Sequence, residues 1–127
     1  AKADAFAAAT GARVANTPAE AARDRDVVVT CLPVSRDVQS LFDGPDGLLA
    51  TLRHGAVLVD CTSGDGATSR QMAAQLAVHG VGFLDAPVSG GVAGAEQGTL
   101  TVMVGGDAAT LETVRPVLER FGQRIVH

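Results

Sequence analysis

Residues 56–85, with the sequence AVLVDCTSGDGATSRQMAAQLAVHGVGFLD, predict one strand–helix–strand unit. The runs 56–60 and 81–85 are short, apolar and free of polar alternation, which is typical of parallel strands covered on both faces. Between them, apolar residues three and four positions apart predict a helix from about 68 to 79. Gly80 stands where a glycine commonly ends a helix.

The same alternation extends along the chain in both directions. Further runs that predict strands lie at 26–32, 100–104 and 124–127, with a short one at 13–15. Further helices are predicted at 2–10 and 107–121, where Asp107 is a natural N-cap, and a third starts at Thr17, followed by Pro18 and Glu20. Strands alternating with helices at this spacing predict an α/β fold with a doubly wound parallel sheet.

The composition excludes several classes of protein. A hydrophobic content of 46% in 127 residues is too high for a disordered chain, and no apolar run is long enough to span a bilayer. Fourteen acidic against ten basic residues, without a basic cluster, argue against nucleic-acid binding. Two cysteines do not make a disulfide framework, and the three histidines share no metal-ligand spacing with them. We expect a soluble, cytoplasmic domain without a metal.

Two loops follow predicted strand ends, where open α/β sheets bind ligands. In 31–35, Pro33 ends the strand and leaves peptide groups open to a ligand; alternatively, it only stops the strand before a helix capped by Ser35. In 60–66, hydroxyls and glycines precede a helix and suit an anion or a ribose. The alternative for this second loop is that its polar side chains only cap the helix.

A third, glycine-rich segment spans residues 85–100 between two predicted strands. It is longer than ordinary connections, which favours a functional role. Ser89, Gly90 and Gly91 offer a hydroxyl and unobstructed amides that suit a carboxylate or a carbonyl oxygen. An ordinary glycine turn is the alternative.

Four further side chains at strand ends have structural interpretations. Asp60 and Asp85 are expected to brace loops, because neither has an evident His or Lys companion for acid–base work. Cys31 and Cys61 are expected on neighbouring strands, as small buried hydrophobic residues rather than as a redox pair.

Together the three loops resemble the β-hydroxyacid dehydrogenase family, of which 3-hydroxyisobutyrate dehydrogenase and tartronate semialdehyde reductase are members. Cys31-Leu-Pro33 is similar to the family's loop after the fourth strand, and Asp60-Cys-Thr-Ser63 to its D-x-S-T loop with the two hydroxyl residues reversed. Asp85-Ala-Pro-Val-Ser-Gly-Gly91, continuing to 106, is similar to its diagnostic substrate-binding segment.

The resemblance implies roles for six residues. Ser89, Gly90 and Gly91 would contact the substrate carboxylate. The cofactor, NAD or NADP, would be lined by Leu32, Pro33 and Ser63. The implied reaction is hydride transfer between this cofactor and a small β-hydroxyacid such as 3-hydroxyisobutyrate.

The resemblance also implies that residues 1–127 are part of a Rossmann-type NAD(P)-binding domain that lacks its first two strands. The family's glycine-rich phosphate loop, and the strand end that selects NAD or NADP, would precede Ala1. Its catalytic lysine lies on a helix of a C-terminal all-helical domain, beyond His127, and Lys2 cannot replace it. We therefore expect this chain alone to be inactive, and to form a homo-oligomer or to associate through the exposed edge of its first full strand.

Two other functions remain open at this point. The chain could be a non-catalytic remnant or an interaction module that kept the strands without the chemistry. It could also belong to a reductase of 6-phosphogluconate or of imines, which the uninterrupted residues 87–91 and the strand at 99–103 disfavour.

Overall fold

The structure is a computed structural model, and it describes residues 2–127. The helices are α1 (Lys2–Thr10), α2 (Pro18–Ala22), α3 (Ser35–Gln39), α4 (Gly66–Val78), α5 (Gly91–Gln97) and α6 (Ala108–Leu118), with a 3-10 helix at Leu48–Ala50. The strands are β1 (Val27–Thr30), β2 (Val57–Asp60), β3 (Gly82–Asp85), β4 (Val88–Ser89), β5 (Leu100–Met103) and β6 (Gly122–Val126).

The first three strands form a parallel sheet in the order β1-β2-β3, and this confirms the predicted strand–helix–strand unit and the α/β class. The register pairs Thr30 with Asp60 and Asp60 with Asp85, so the three strands end side by side at one edge. The carboxyl ends of β1, β2 and β3 thus bring together the segments that follow them.

The last three strands form a second sheet in the order β4-β5-β6. β5 and β6 are parallel, but β4 pairs antiparallel with β5, and a single bridge between Asp85 and Gly105 links the two sheets. The sheet is therefore mixed and divided, rather than one continuous parallel sheet. The reason is the connection from β3 to β4, which consists of Ala86 and Pro87 and is far too short for a parallel crossover.

Two local predictions were wrong. Residues 13–15 form no strand, because no strand within the described residues lies beside them to complete a ladder. The segment 85–100 is not an open loop, since it contains β4 and the seven residues of α5. The two predicted N-caps are confirmed. The side chain of Thr17 accepts a hydrogen bond from the amide of Glu20, and the side chain of Asp107 accepts one from the amide of Thr110.

Both faces of the first sheet are covered, as its unbroken apolar strands predict. Alternate residues of β2 point to opposite faces, so that Leu58 enters one core and Val57 and Val59 enter the other. The first core includes Phe42, Met72 and Leu76, and the second includes Leu84, Val102, Val104, Leu111, Val114 and Leu118. Two cores on either side of β2 hold its carboxyl end rigidly in place.

Candidate functional site

The three segments singled out in the sequence border one apolar cavity of about 260 Å³. It is lined by Val29, Cys31, Cys61, Val88, Ala95, Leu100 and Phe121. The predicted site residues do not line this cavity themselves, but Leu32, Ser89 and their neighbours follow directly on lining residues. A larger cavity of about 470 Å³ lies between α1, α2 and residues 12–15, and no residue of the three segments lines it. Because the strand ends, both cysteine loops and the β4–α5 segment converge on the smaller cavity, we take this one as the candidate site.

A hydrogen-bond network ties the first loop to the second. Asp60 is 1% exposed, and its Oδ1 accepts from the hydroxyl of Thr30 at 2.9 Å and from the amide of Thr62 at 3.1 Å. The hydroxyl of Thr62 in turn accepts from the amide of Leu32 at 3.0 Å. The predicted bracing role of Asp60 is confirmed. The contribution of Thr30 was not predicted, although a polar residue ending an apolar strand is a usable signal.

Ser35 makes a second link between these loops. The sequence suggested it as an N-cap, but the N-cap of α3 is Val34, which has no side-chain hydrogen bond. Ser35 is buried instead, and its Oγ accepts from the amide of Asp65 at 3.0 Å. A Cβ at Gly64 would overlap with this Oγ, so the two loops touch there and Gly64 provides the space.

The N-terminus of α4 is already capped. Asp65 accepts from the amide of Thr68 at 2.8 Å, and this hydrogen bond lowers the pKa of the Asp65 carboxyl. The capping alternative for the second loop therefore holds for Asp65. Ser63, by contrast, is exposed and makes no part of the cap, which leaves its hydroxyl open to solvent or to a ligand.

The third segment presents Ser89, Gly90 and Gly91 at the surface, where β4 meets α5. Gly90 has a φ of +142°, and a Cβ there would lie 2.9 Å from Cδ2 of Leu100. Gly91 has a φ of +66°, and a Cβ there would meet no protein atom within 4 Å. The first residues of a helix carry amides without partners inside the helix. Ser89 and the two glycines thus offer a hydroxyl and accessible amides.

Charge and burial act together at the ends of β2 and β3. Asp85 is half-buried, and its burial, together with the nearby negative charge of Asp60, raises the pKa of its carboxyl despite a hydrogen bond with Ser69. Burial also raises the pKa of the Cys61 thiol to about 12, with the charges of Cys31 and Asp60 adding to the effect. Burial and the charge of Asp60 thus shift both the Asp85 carboxyl and the Cys61 thiol toward their protonated forms.

The two cysteines differ from one another, which corrects the expectation that both are buried. Cys61 is 6% exposed, whereas Cys31 lies at the surface, because it follows the edge strand β1, whose other side pairs with no strand among residues 2–127. Only thiolates react rapidly with alkylating reagents. We expect iodoacetamide at pH 8 to modify Cys31 and to spare Cys61 in the folded protein, as measured by peptide mass spectrometry, with both modified in urea. Modification of Cys61 at the rate of Cys31 under native conditions would contradict this.

Within residues 2–127, the structure shows neither a cluster of metal ligands nor a membrane-spanning helix. No three His, Cys, Asp or Glu side chains within residues 2–127 are grouped to hold a metal ion. The ring of His127 contacts the carbonyl oxygen of Gly106 through Nε2 at 2.8 Å. None of the helices in residues 2–127 has both the length and the apolar character that crossing a membrane requires.

Comparison with known proteins places the chain in a family. Over residues 1–127 it matches the family described as the NAD binding domain of 6-phosphogluconate dehydrogenase. It is 46% identical over 117 residues to a "probable 3-hydroxyisobutyrate dehydrogenase, mitochondrial" of Dictyostelium discoideum, a match that covers 92% of this chain and 36% of that protein.

Solved structures agree with this match. A 3-hydroxyisobutyrate dehydrogenase of Mycobacterium tuberculosis with L-serine is 40% identical, with a TM-score of 0.89 over 97% of this chain and 41% of that one. An imine reductase variant from Myxococcus stipitatus in complex with NAD+ is 27% identical, with a TM-score of 0.87 over 100% of this chain and 43% of that one. The chain thus spans about two fifths of the length of these relatives. Since the family match covers all of residues 1–127, the chain belongs to the family of NAD-binding domains found in 6-phosphogluconate dehydrogenase and the β-hydroxyacid dehydrogenases.

Proposed function

We propose that residues 1–127 are the cofactor-binding part of an oxidoreductase that transfers hydride between NAD or NADP and a small β-hydroxyacid such as 3-hydroxyisobutyrate. The observation that carries the proposal is the convergence of three segments, the loops after β1 and β2 and the β4–α5 segment, on one apolar cavity. The two 3-hydroxyisobutyrate dehydrogenases described above are 46% and 40% identical to this chain, against 27% for the imine reductase, and this difference supports the substrate class.

Ser89, Gly90 and Gly91 are proposed to bind the substrate carboxylate. Their exposure, the Ser89 hydroxyl and the lack of side chains at both glycines allow a carboxylate oxygen to approach backbone amides closely. Anions are favoured where such amides begin a helix. The carboxylate would then be held beside the cavity, which orients the rest of the substrate over its apolar wall.

Leu32, Pro33 and Ser63 are proposed to line the cofactor. The lining of the cavity is apolar, which suits packing against the flat face of a nicotinamide ring. The bound nicotinamide would give or take the hydride. The chain's own contribution is to hold the ring against this apolar wall, to exclude water there and to offer the exposed Ser63 hydroxyl, two residues after Cys61.

Proton transfer is proposed to depend on a residue outside this chain. The only lysine, Lys2, begins α1 and lines no part of the cavity. By the family resemblance, residues 1–127 belong to the NAD(P)-binding domain, and an all-helical domain supplies the lysine that acts as general acid and base. The active enzyme would therefore need both the NAD(P)-binding domain and the all-helical domain.

The test is an assay of the full-length protein that carries this chain. Purified protein is mixed with NAD+ or NADP+ and with 3-hydroxyisobutyrate, glycerate, L-serine or 6-phosphogluconate, and reduction of the cofactor is followed by absorbance. We expect reduction with a small β-hydroxyacid. Cofactor binding without turnover of any substrate would favour the non-catalytic alternative, and turnover of 6-phosphogluconate alone would favour a 6-phosphogluconate dehydrogenase.

The free edge of β1 is proposed to make the isolated 127-residue chain self-associate. Within residues 2–127, β1 pairs only with β2, and Val29 beside this edge is 44% exposed. An unpaired apolar strand edge is a template for another chain. Sedimentation velocity of the isolated chain should show species larger than a monomer, and a cooperatively folded monomer would contradict the proposal. Cytoplasmic location stays a prediction.

A further inference from the structure

The hydrogen-bond network at the ends of β1 and β2 passes from one loop to the other through side chains. Thr30 and Asp60 are paired across the two strands, and their hydrogen bond is buried. Asp60 then holds the amide of Thr62, two residues further along its own chain. The hydroxyl of Thr62 reaches back across to the amide of Leu32.

The last hydrogen bond in this network lies beyond the sheet. The ladder between the strands continues to the amide of Cys61, which donates to the carbonyl oxygen of Thr30 at 2.7 Å. Past that point, the contact from Leu32 to Thr62 is a side-chain substitute for a ladder hydrogen bond. It therefore sets how far apart the two loops stand after the strands have ended.

Thr62 is suited to this task by its burial. It is 1% exposed, whereas the next residue, Ser63, is exposed. The methyl group of Thr62 is thus enclosed, and the rotamer is fixed by packing as well as by hydrogen bonding. The reversed order of the two hydroxyl residues places the branched one inside and the small one outside.

We propose that Thr62, oriented by the buried carboxylate of Asp60, is a positioning residue that fixes the Leu32 peptide relative to Ser63 and thereby sets the spacing of the two cofactor-lining loops. This inference rests on the proposed function. Thr62 is not among the residues that line the cavity, and it acts through the peptide of Leu32, the residue that follows the lining residue Cys31.

The test compares Thr62→Val with Thr62→Ser in the full-length protein. Valine keeps the shape and loses the acceptor, whereas serine keeps the acceptor and loses the methyl group. We expect the dissociation constant for NAD or NADP, measured by calorimetry, to rise about tenfold in Thr62→Val, as one lost hydrogen bond would produce, and to stay within about twofold of wild type in Thr62→Ser. Amide exchange at Leu32 in the cofactor-free protein should accelerate in Thr62→Val alone.

Thr51→Val is the matched control. The Thr51 hydroxyl donates to the carbonyl oxygen of Ala19 at 2.6 Å, in a half-buried position that lines none of the cavity. Its removal should lower Tm without changing cofactor affinity or Leu32 exchange. Equal affinities in wild type, Thr62→Val and Thr62→Ser would overturn the positioning role and leave the proposed function intact. Absence of NAD and NADP binding to the wild type would overturn both.

Discussion

Gly91→Ala is expected to lower kcat/KM for the hydroxyacid by about 100-fold in the full-length enzyme, because displacing the carboxylate from the amides that bind it should cost as much as removing one oxyanion-hole donor. The physical reason is the position of the added methyl group. A Cβ at Gly91 meets no protein atom within 4 Å and projects into open space at the first residue of α5, where we place the substrate carboxylate. The protein can accommodate the methyl group, but the carboxylate must move.

The fold should survive this substitution. The φ of +66° at Gly91 costs an alanine about 1–2 kcal/mol, which is a small part of the stability of a domain. Gly55→Ala is the matched control, since Gly55 has a φ of +88°, equally open surroundings and a position before the amino end of β2. Thermal melts should show similar small losses for both variants. Undiminished kcat/KM in Gly91→Ala would remove the substrate role of the Ser89–Gly91 segment.

The sequence predicts the parallel part of this fold because its signals are local. Short apolar runs, rich in valine in β1 and β2, predict the three strands β1, β2 and β3, and the 3.6-residue period predicts α4 and α6. Since parallel strands end at one edge, the sequence also predicts which loops meet. The network through Asp60 follows from the same register, as the pairing of Thr30 with Asp60 puts a hydroxyl beside a carboxylate.

The rest depends on contacts between distant residues. The direction of β4 is set by its partner β5, which pairs Val88 with Val102, and a two-residue strand has no period of its own. The exposure of Cys31 depends on what lies beside β1. The sequence of residues 26–32 does not show whether another strand pairs with that edge. The contact between Ser35 and Gly64 joins the first residue of α3 to the loop after β2, and each residue alone is typical of many helix starts and turns.

The second large effect is expected at that contact. Gly64→Ala should lower the free energy of unfolding by about 2–3 kcal/mol, the upper range for overpacking, because its Cβ would overlap with Oγ of Ser35, which is buried and cannot withdraw. The backbone at Gly64 adds no conformational penalty, as its φ is not positive. Gly66→Ala is the control: its Cβ would lie 3.3 Å from Nη1 of Arg70, the movable end of an exposed side chain, and should be nearly neutral.

A double-mutant cycle separates overlap from a general weakening of the loop. Ser35→Ala alone should cost about 1–2 kcal/mol, since the amide of Asp65 loses its acceptor. Adding Gly64→Ala to Ser35→Ala should then cost at least about 1 kcal/mol less than it does in the wild type, because the atom that it overlaps is gone. Urea denaturation of the four proteins measures this coupling. Additive effects would mean that the two loops do not touch at Gly64, and the spacing we assign to the cofactor-lining loops would then rest on Thr62 alone.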